Sequence, residues 1–298
     1  MNAPRLMGEH RGLSFDEYLA VDAMSSSGMR EFARTPWHYR NRVPVVPTRP
    51  MLNGTLIHCA HLEPDAMASR YIITPEDAPR RPTAAQWGAK NPSPPSLEAM
   101  YWWTAFHARC EGRLIVPAAD YSITQAQLAA IQAEPYLAEL FSHGYSETSV
   151  FWVDKSSGVY CKARPDWIQP VGKDMARMVE LKSTADESPE GFGRAVTRLG
   201  YHRARALYID GFQQATGLKV VEYVFACITS AAPVLAVPYW MDEDDARQGE
   251  DEVAEHLARF AWCMKENKWP TYGDGPQIVG LQKWAKRSNE LEVSYADA

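Results

Sequence analysis

Between residues 145 and 240 the chain alternates short β-prone runs with one long helical pattern, and this order constrains the fold more than any other feature. Three runs rich in β-branched and aromatic residues come first: 146–154 (SETSVFWVD), 158–170 (GVYCKARPDWIQP) and 176–184 (ARMVELKST). Turn-forming segments separate them, Lys155-Ser156-Ser157-Gly158 and Pro170-Val171-Gly172-Lys173, so they predict an antiparallel meander. Residues 187–217 then show helical periodicity, with Pro189 near the start and Gly217 at the end. Two more strand-like runs follow, 218–230 and 233–241, before an acid-led helix over 242–269 that suits the helix dipole.

Upstream the pattern is mainly helical. Ser25-Ser26-Ser27 reads as an N-cap before MREFARTPWHYRNR, which Pro36 punctuates. Leu52, Leu56, Cys59 and Ala60 fall at helical spacing in a run that stops near Pro64. Residues 74–98 are rich in Pro, Ala, Asn and Ser and predict a long loop, and 122–142 predict a helix interrupted by Pro135. The expected architecture is α/β: a central mixed β-sheet flanked by helices in one domain over 1–298. A mainly helical part spans 1–143, a sheet-and-helix core 144–270, and an irregular tail 271–298.

Composition narrows the function classes. With 298 residues, 46% of them hydrophobic, a sizeable core is available. A net charge of −6 argues against a surface coated in positive charge, though not against a local basic cleft. The five cysteines are scattered without zinc-type spacing, which leads to an expectation of reduced thiols and a cytoplasmic location. Residues 1–12 lack the apolar segment of a signal peptide, and no run approaches the ~18 apolar residues of a membrane span.

The chemistry concentrates on Asp166 and Glu180-Leu181-Lys182. Alternate strand residues share a face, so Glu180 and Lys182 point the same way, and pairing of the second and third runs would bring Asp166 beside Glu180. Neighbouring carboxylates repel unless a cation lies between them, and oxygen ligands suit Mg²⁺ or Mn²⁺. A lysine beside such a pair could orient water or stabilise phosphate charge, which metal-assisted phosphodiester hydrolysis requires. The spacing alone equally describes a solvated strand face. Against that stand the apolar neighbours Met178, Val179 and Leu181, and the position of Asp166 after Arg164-Pro165 at a strand end.

These motifs, taken in order, resemble the nuclease core of RecE-type exonucleases (exodeoxyribonuclease VIII and its phage-borne relatives). Those enzymes belong to the PD-(D/E)XK superfamily with lambda exonuclease and the RecB nuclease domain. The likeness runs from SSSGMREFARTPWHYR through NGTLIHCAHLEP to LGYHRARALYIDG, over about residues 24–272. It implies Asp166 and Glu180 as metal ligands, the Leu181 carbonyl as another, and Lys182 as the catalytic lysine. It makes His58 a further ligand or near neighbour, where otherwise a satisfied helix histidine is the simpler reading. Glu147 is either an acid near the metals or an exposed glutamate at a strand start. Tyr208 matches the tyrosine of a Gln-x-x-x-Tyr motif, but Ala204 stands at the glutamine position.

Two features suggest contacts to DNA. Arg194, Arg198 and His202 are four residues apart, with Arg203 adjacent, and would form a basic stripe on one helix suited to phosphates. Ser27 and Arg30, at a helix start, would receive a terminal 5′-phosphate by the resemblance. The implied function is a Mg²⁺-dependent exodeoxyribonuclease acting on linear duplex DNA, 5′ to 3′, leaving 3′ overhangs for recombination. The implied partners are double-stranded DNA ends and a single-strand annealing protein, and the implied assembly is a homo-oligomeric ring, with no membrane association. The alternatives are a DNA-end-binding protein with little catalysis, motivated by Ala204, and a single-strand or endonucleolytic member of the superfamily.

Overall fold

Two chain segments cross from one sheet to another at the same place, and this crossing organises the molecule. The computed structural model describes residues 5–281. Its first half contains β1 (Gly8–His10), α1 (Phe15–Ala20), α2 (Ser26–Arg34), α3 (Pro36–Arg40), α4 (Arg49–Leu62), α5 (Met67–Arg70), β2 (Tyr71–Ile73), α6 (Ala84–Trp87), α7 (Pro94–Ala108), β3 (Leu114–Val116), α8 (Ala118–Ala133) and α9 (Pro135–Leu140). The second half contains β4 (Tyr145–Ser146), β5 (Ser149–Val153), β6 (Tyr160–Ala163), β7 (Trp167–Val171), β8 (Met175–Thr184), α10 (Pro189–Leu199), α11 (Tyr201–Thr216), β9 (Lys219–Thr229), β10 (Ala236–Tyr239) and α12 (Glu243–Glu266).

The main sheet is mixed, in the order β10-β9-β8-β7-β4, with β8 parallel to β9 and the other pairs antiparallel. The α10–α11 pair makes the crossover that parallel strands require. A second sheet, β1-β5-β6, is antiparallel, and β2 and β3 form a small parallel pair. The expected meander is therefore divided. GVYCKARPDWIQP is two strands in two sheets, because Arg164-Pro165-Asp166 carries the chain from β6 to β7, and Glu147 marks the matching passage from β4 to β5. Strand bends at sheet corners of this kind re-aim side chains.

Local chemistry fixes the helix boundaries. Ser25 caps α2 by accepting from the Gly28 amide at 3.2 Å, and Pro36 and Pro135 occupy first-turn positions, where proline's missing N–H is harmless. The helix expected over 187–217 is broken at Gly200, whose φ of +70° is the left-handed conformation that ends α10 and starts α11. The loop expected over 74–98 is interrupted by two helix starts, with 74–83 and 88–93 remaining outside helices and strands. Thr83 forms a capping box for α6, and Ser93-Pro94 opens α7. Residues 271–281 carry no helix or strand, and the rest of the tail expected over 271–298 lies outside the described residues.

The core has two main parts, one on each face of the main sheet. Met178, Phe225, Phe192, Leu207, Phe212 and Phe260 pack on the side of α10, α11 and α12. Val179, Leu181, Val224, Ile57, Ile131 and Leu137 pack on the side of α4, α8 and α9. Gly211 lets α11 lie against β5, since a β-carbon there would meet the Trp152 ring at 2.3 Å. All five cysteines are buried and free, and no helix among the described residues is long and apolar enough to cross a membrane.

Candidate metal centre and adjoining cleft

The sheet crossing builds the site. Register pairing of Trp167 with Val179 puts Asp166, one residue earlier, beside Glu180. The Asp166 amide donates to Glu180 Oε1 at 3.2 Å, and the Leu181 amide donates to Asp166 Oδ2 at 2.8 Å. At the other crossing, the Glu147 amide donates to the Asp166 carbonyl at 3.0 Å. Glu147 itself has φ +51°, a conformation costly for a side-chain-bearing residue and typical of functional sites. Arg164, buried in the same crossing, donates from Nε to Glu147 Oε2 at 2.7 Å and from Nη1 to Ser149 Oγ and the Leu13 carbonyl.

The α4 helix brings His58 to this corner. Its Nε2 lies 3.0 Å from the Leu181 carbonyl, so that nitrogen carries the proton. Burial first, then the Lys182 charge, hold the ring below its ordinary pKa, which favours the neutral form. Nδ1 then presents a lone pair 3.5 Å from Asp166 Oδ1 and 4.0 Å from Glu147 Oε1. Three acceptors thus face one another, with one ligand atom each from His58, Glu147 and Asp166 all within 4.8 Å. Acceptors this close repel one another unless they share a cation. A nitrogen and carboxylate oxygens at this spacing fit a divalent metal ion.

Glu180 and Lys182 stand beside that cluster on the opposite face of β8 from Val179 and Leu181. Lys182 Nζ is 2.8 Å from Glu180 Oε2 and 3.9 Å from Asp166 Oδ2. Burial disfavours the Lys182 charge, but Glu180 and Asp166 outweigh it and raise the pKa. Burial, then repulsion from Asp166, pushes both Glu147 and Glu180 up to about 7, and burial raises Asp166 as well. Carboxylates that resist ionisation when alone are what a bound cation would relieve.

Of the four expected ligands, His58 and Asp166 lie in the cluster. Glu180, expected among them, has its oxygens engaged by Lys182 and the Asp166 amide, and Glu147 is the third member. The Leu181 carbonyl accepts from His58. Tyr208 on α11 is partly buried, with its hydroxyl 3.3 Å from Ser26 Oγ. It shares a cavity of about 90 Å³ with Lys182, Glu180, Ser27, Arg30, Tyr201 and Ala204. The Ala204 methyl thus lies beside the lysine, where the resemblance expects a glutamine side chain.

The expected basic stripe is absent. Gly200 separates Arg194 and Arg198 on α10 from His202 and Arg203 on α11. Arg194 pairs with Asp186 at 2.8 Å, while His202 and Arg203 both reach Glu252 of α12, at 3.1 and 2.6 Å. Two of these four side chains thus fasten α11 to α12. Sequence reading missed Arg164 and Lys162 as organisers. Lys162 is buried and donates to the carbonyls of Tyr18, Leu19 and Val21, closing the end of α1. Two cations alternating with apolar residues in the run YCKAR were the available signal, since a charge inside a β-prone run needs a buried partner.

Fold and site together define a PD-(D/E)XK-like α/β protein, with its acids and lysine at the junction of two adjacent strands. The model of the family described as "PDDEXK-like domain of unknown function (DUF3799)" matches residues 25–279. The chain belongs to that family. Its fold is also similar to the crystal structure of a protein described as a "putative exonuclease" from Eubacterium rectale. The TM-score is 0.55 and the identity 15%, with 87% of this chain and 88% of the other covered. No curated protein matches the chain in sequence.

Proposed function

We propose that this protein is a divalent-metal-dependent exodeoxyribonuclease of RecE type, which degrades linear duplex DNA from 5′ ends and leaves 3′ overhangs. The observation that carries the reading is the inward-facing set of acceptors, His58 Nδ1 with the Asp166 and Glu147 carboxylates, beside the Glu180–Lys182 ion pair. His58, Asp166 and Glu147 would hold Mg²⁺ or Mn²⁺, with Glu180 adjacent. Such an ion supplies Lewis acidity and activates water for attack on phosphorus.

The chain's own groups supply the rest. Lys182 keeps its ammonium charged between Glu180 and Asp166, where it can meet the negative charge that builds on a phosphate. Arg164 fixes the Glu147 carboxylate by its hydrogen bond, so the cluster is held before substrate arrives. Tyr208 and Ser26 put hydroxyls at the cavity, and Ser27 and Arg30 stand at its rim for a terminal phosphate. A ring of subunits around DNA and a single-strand annealing partner accompany this reading through the resemblance.

The test is a linear duplex labelled at either the 5′ or the 3′ end, with a closed circle as control. With Mg²⁺, early release of the 5′ label and an intact circle are expected. Early release of the 3′ label overturns the polarity, and cutting of the circle overturns the exonuclease assignment. The Ala204 methyl in the cavity supports a second reading, a DNA-end-binding protein of low turnover. Under that reading Ala204→Gln increases cleavage.

A further inference from the structure

The cavity beside Lys182 does not end there. Through Ser27 and Arg30 it shares its wall with a cleft of about 670 Å³, and that cleft shares Asp22, Tyr39 and Arg42 with another of about 680 Å³. The three form one path along α2, around α3 and on toward the end of α12. Each large cleft lies within the roughly 300–1,000 Å³ of a small-ligand site.

Two kinds of side chain line the path. Arg30 and Arg34 lie one helical turn apart on α2, with side chains 44% and 55% exposed, and Glu31 between them pairs with Arg34 at 2.9 Å. Arg42 lies over the Tyr39 ring at 4.1 Å and Arg40 over Trp269 at 5.5 Å. Both arginines are exposed, and among the described residues neither is in an ion pair with a carboxylate. Trp37 is 47% exposed in the first cleft, and Trp269 lines the second, stacked on Tyr39 at 6.1 Å. The path therefore carries positive charge despite a net negative chain, and it interleaves arginines with aromatic faces.

Building on the nuclease reading, we propose that this path is a groove for single-stranded DNA leading from the metal centre over α2 and α3 to Trp269. Arginines along it neutralise phosphates, and the exposed Trp37 ring offers a face to an unpaired base. The occupant is a single strand because paired bases keep their faces stacked on one another and cannot reach a tryptophan. Continuity with the catalytic cavity makes it the path of the 3′ overhang, the strand left unpaired as its partner is cut beside Lys182.

Binding is measured by fluorescence anisotropy in Ca²⁺, with labelled oligo(dT) of about 4 and about 16 nucleotides and a duplex of the longer length. Arg40→Gln/Arg42→Gln keeps the aliphatic stems at exposed positions, and Trp37→Ala removes an exposed ring. Circular dichroism melting confirms that both fold. The double variant is expected to weaken the longer strand about tenfold and to flatten its log K against log salt slope by about 1.4, leaving the short strand unchanged. Trp37→Ala should weaken the longer strand and spare the duplex. If both variants bind the longer strand like the native protein, or lose strand and duplex equally, the groove is overturned. Failure of the native protein to cut any DNA with Mg²⁺ or Mn²⁺ counts against the nuclease reading, whereas the binding outcome judges the groove by itself.

Discussion

The two faces of β8 serve opposite ends with the same backbone. Val179 and Leu181 enter the apolar core beneath α4, α8 and α9 and are shut off from water. On the other face, Ala176 and Met178 begin in the same way, but buried Glu180 and partly buried Lys182 continue that face as an ion pair. Burying charge is expensive unless it is compensated, so the ionic half persists only because lysine, backbone amides and a cation site surround it. The apolar half holds the strand rigid, and the ionic half uses that rigidity. A two-residue alternation is enough to separate stability from chemistry.

The largest effects should come from breaking the ionic face. Lys182→Ala is expected to lower DNA cleavage by about 10²–10³-fold with Mn²⁺ binding retained, as read by gel assay and calorimetry. Asp166→Asn should abolish both, because it removes a cluster ligand. Metal binding that survives in Asp166→Asn would move the metal centre elsewhere.

Breaking the apolar face should do the reverse. Leu181→Ala leaves its carbonyl in place but opens a cavity, so it should cost about 2–5 kcal/mol in denaturant unfolding, while the folded fraction keeps the native affinity for Mn²⁺. Loss of affinity at unchanged stability would erase the distinction between the faces.

A smaller effect sharpens the electrostatics. Glu180 is raised from its ordinary 4.5 to about 7, so the folded state holds this proton more tightly than the unfolded chain. Its contribution to stability is therefore lost as pH rises through that window, and its full cost is present above pH 7. In metal-free protein, Glu180→Gln should raise the melting temperature more at pH 8 than at pH 5, by a few degrees, in paired thermal scans. An equal change at both pH values would remove the predicted proton linkage. The smallest effect is that of Ala204→Gln, a modest rise in cleavage rate if the cavity lacks only that amide. No change would show that the rate does not depend on an amide there.

The strand that carries the chemistry was legible because strand alternation is local: Glu180-x-Lys182 in an apolar run needs only a few residues to read. The serine-marked start of α2 was legible for the same reason, and Pro135 was legible as an interruption, though not as the first turn of a separate helix α9. The start of α7 used the same Ser-Pro signal, but it was obscured by the surrounding Pro, Ala and Ser, which resemble loop composition. The basic stripe misled because helical spacing was carried through Gly200, where one left-handed residue resets the face. Glu147 could not be assigned from spacing. Its place beside His58 and Asp166 depends on two sheet crossings and a helix about 90 residues earlier, and such meeting points are set by tertiary packing.

The most direct test of the central claim follows nucleotide release from a linear duplex with Mg²⁺, comparing native protein with Asp166→Asn and Lys182→Ala. The account predicts metal-dependent digestion by the native protein, none above background by folded Asp166→Asn, and a rate about 10²–10³-fold lower in folded Lys182→Ala. Digestion by Asp166→Asn or Lys182→Ala at the native rate would contradict it.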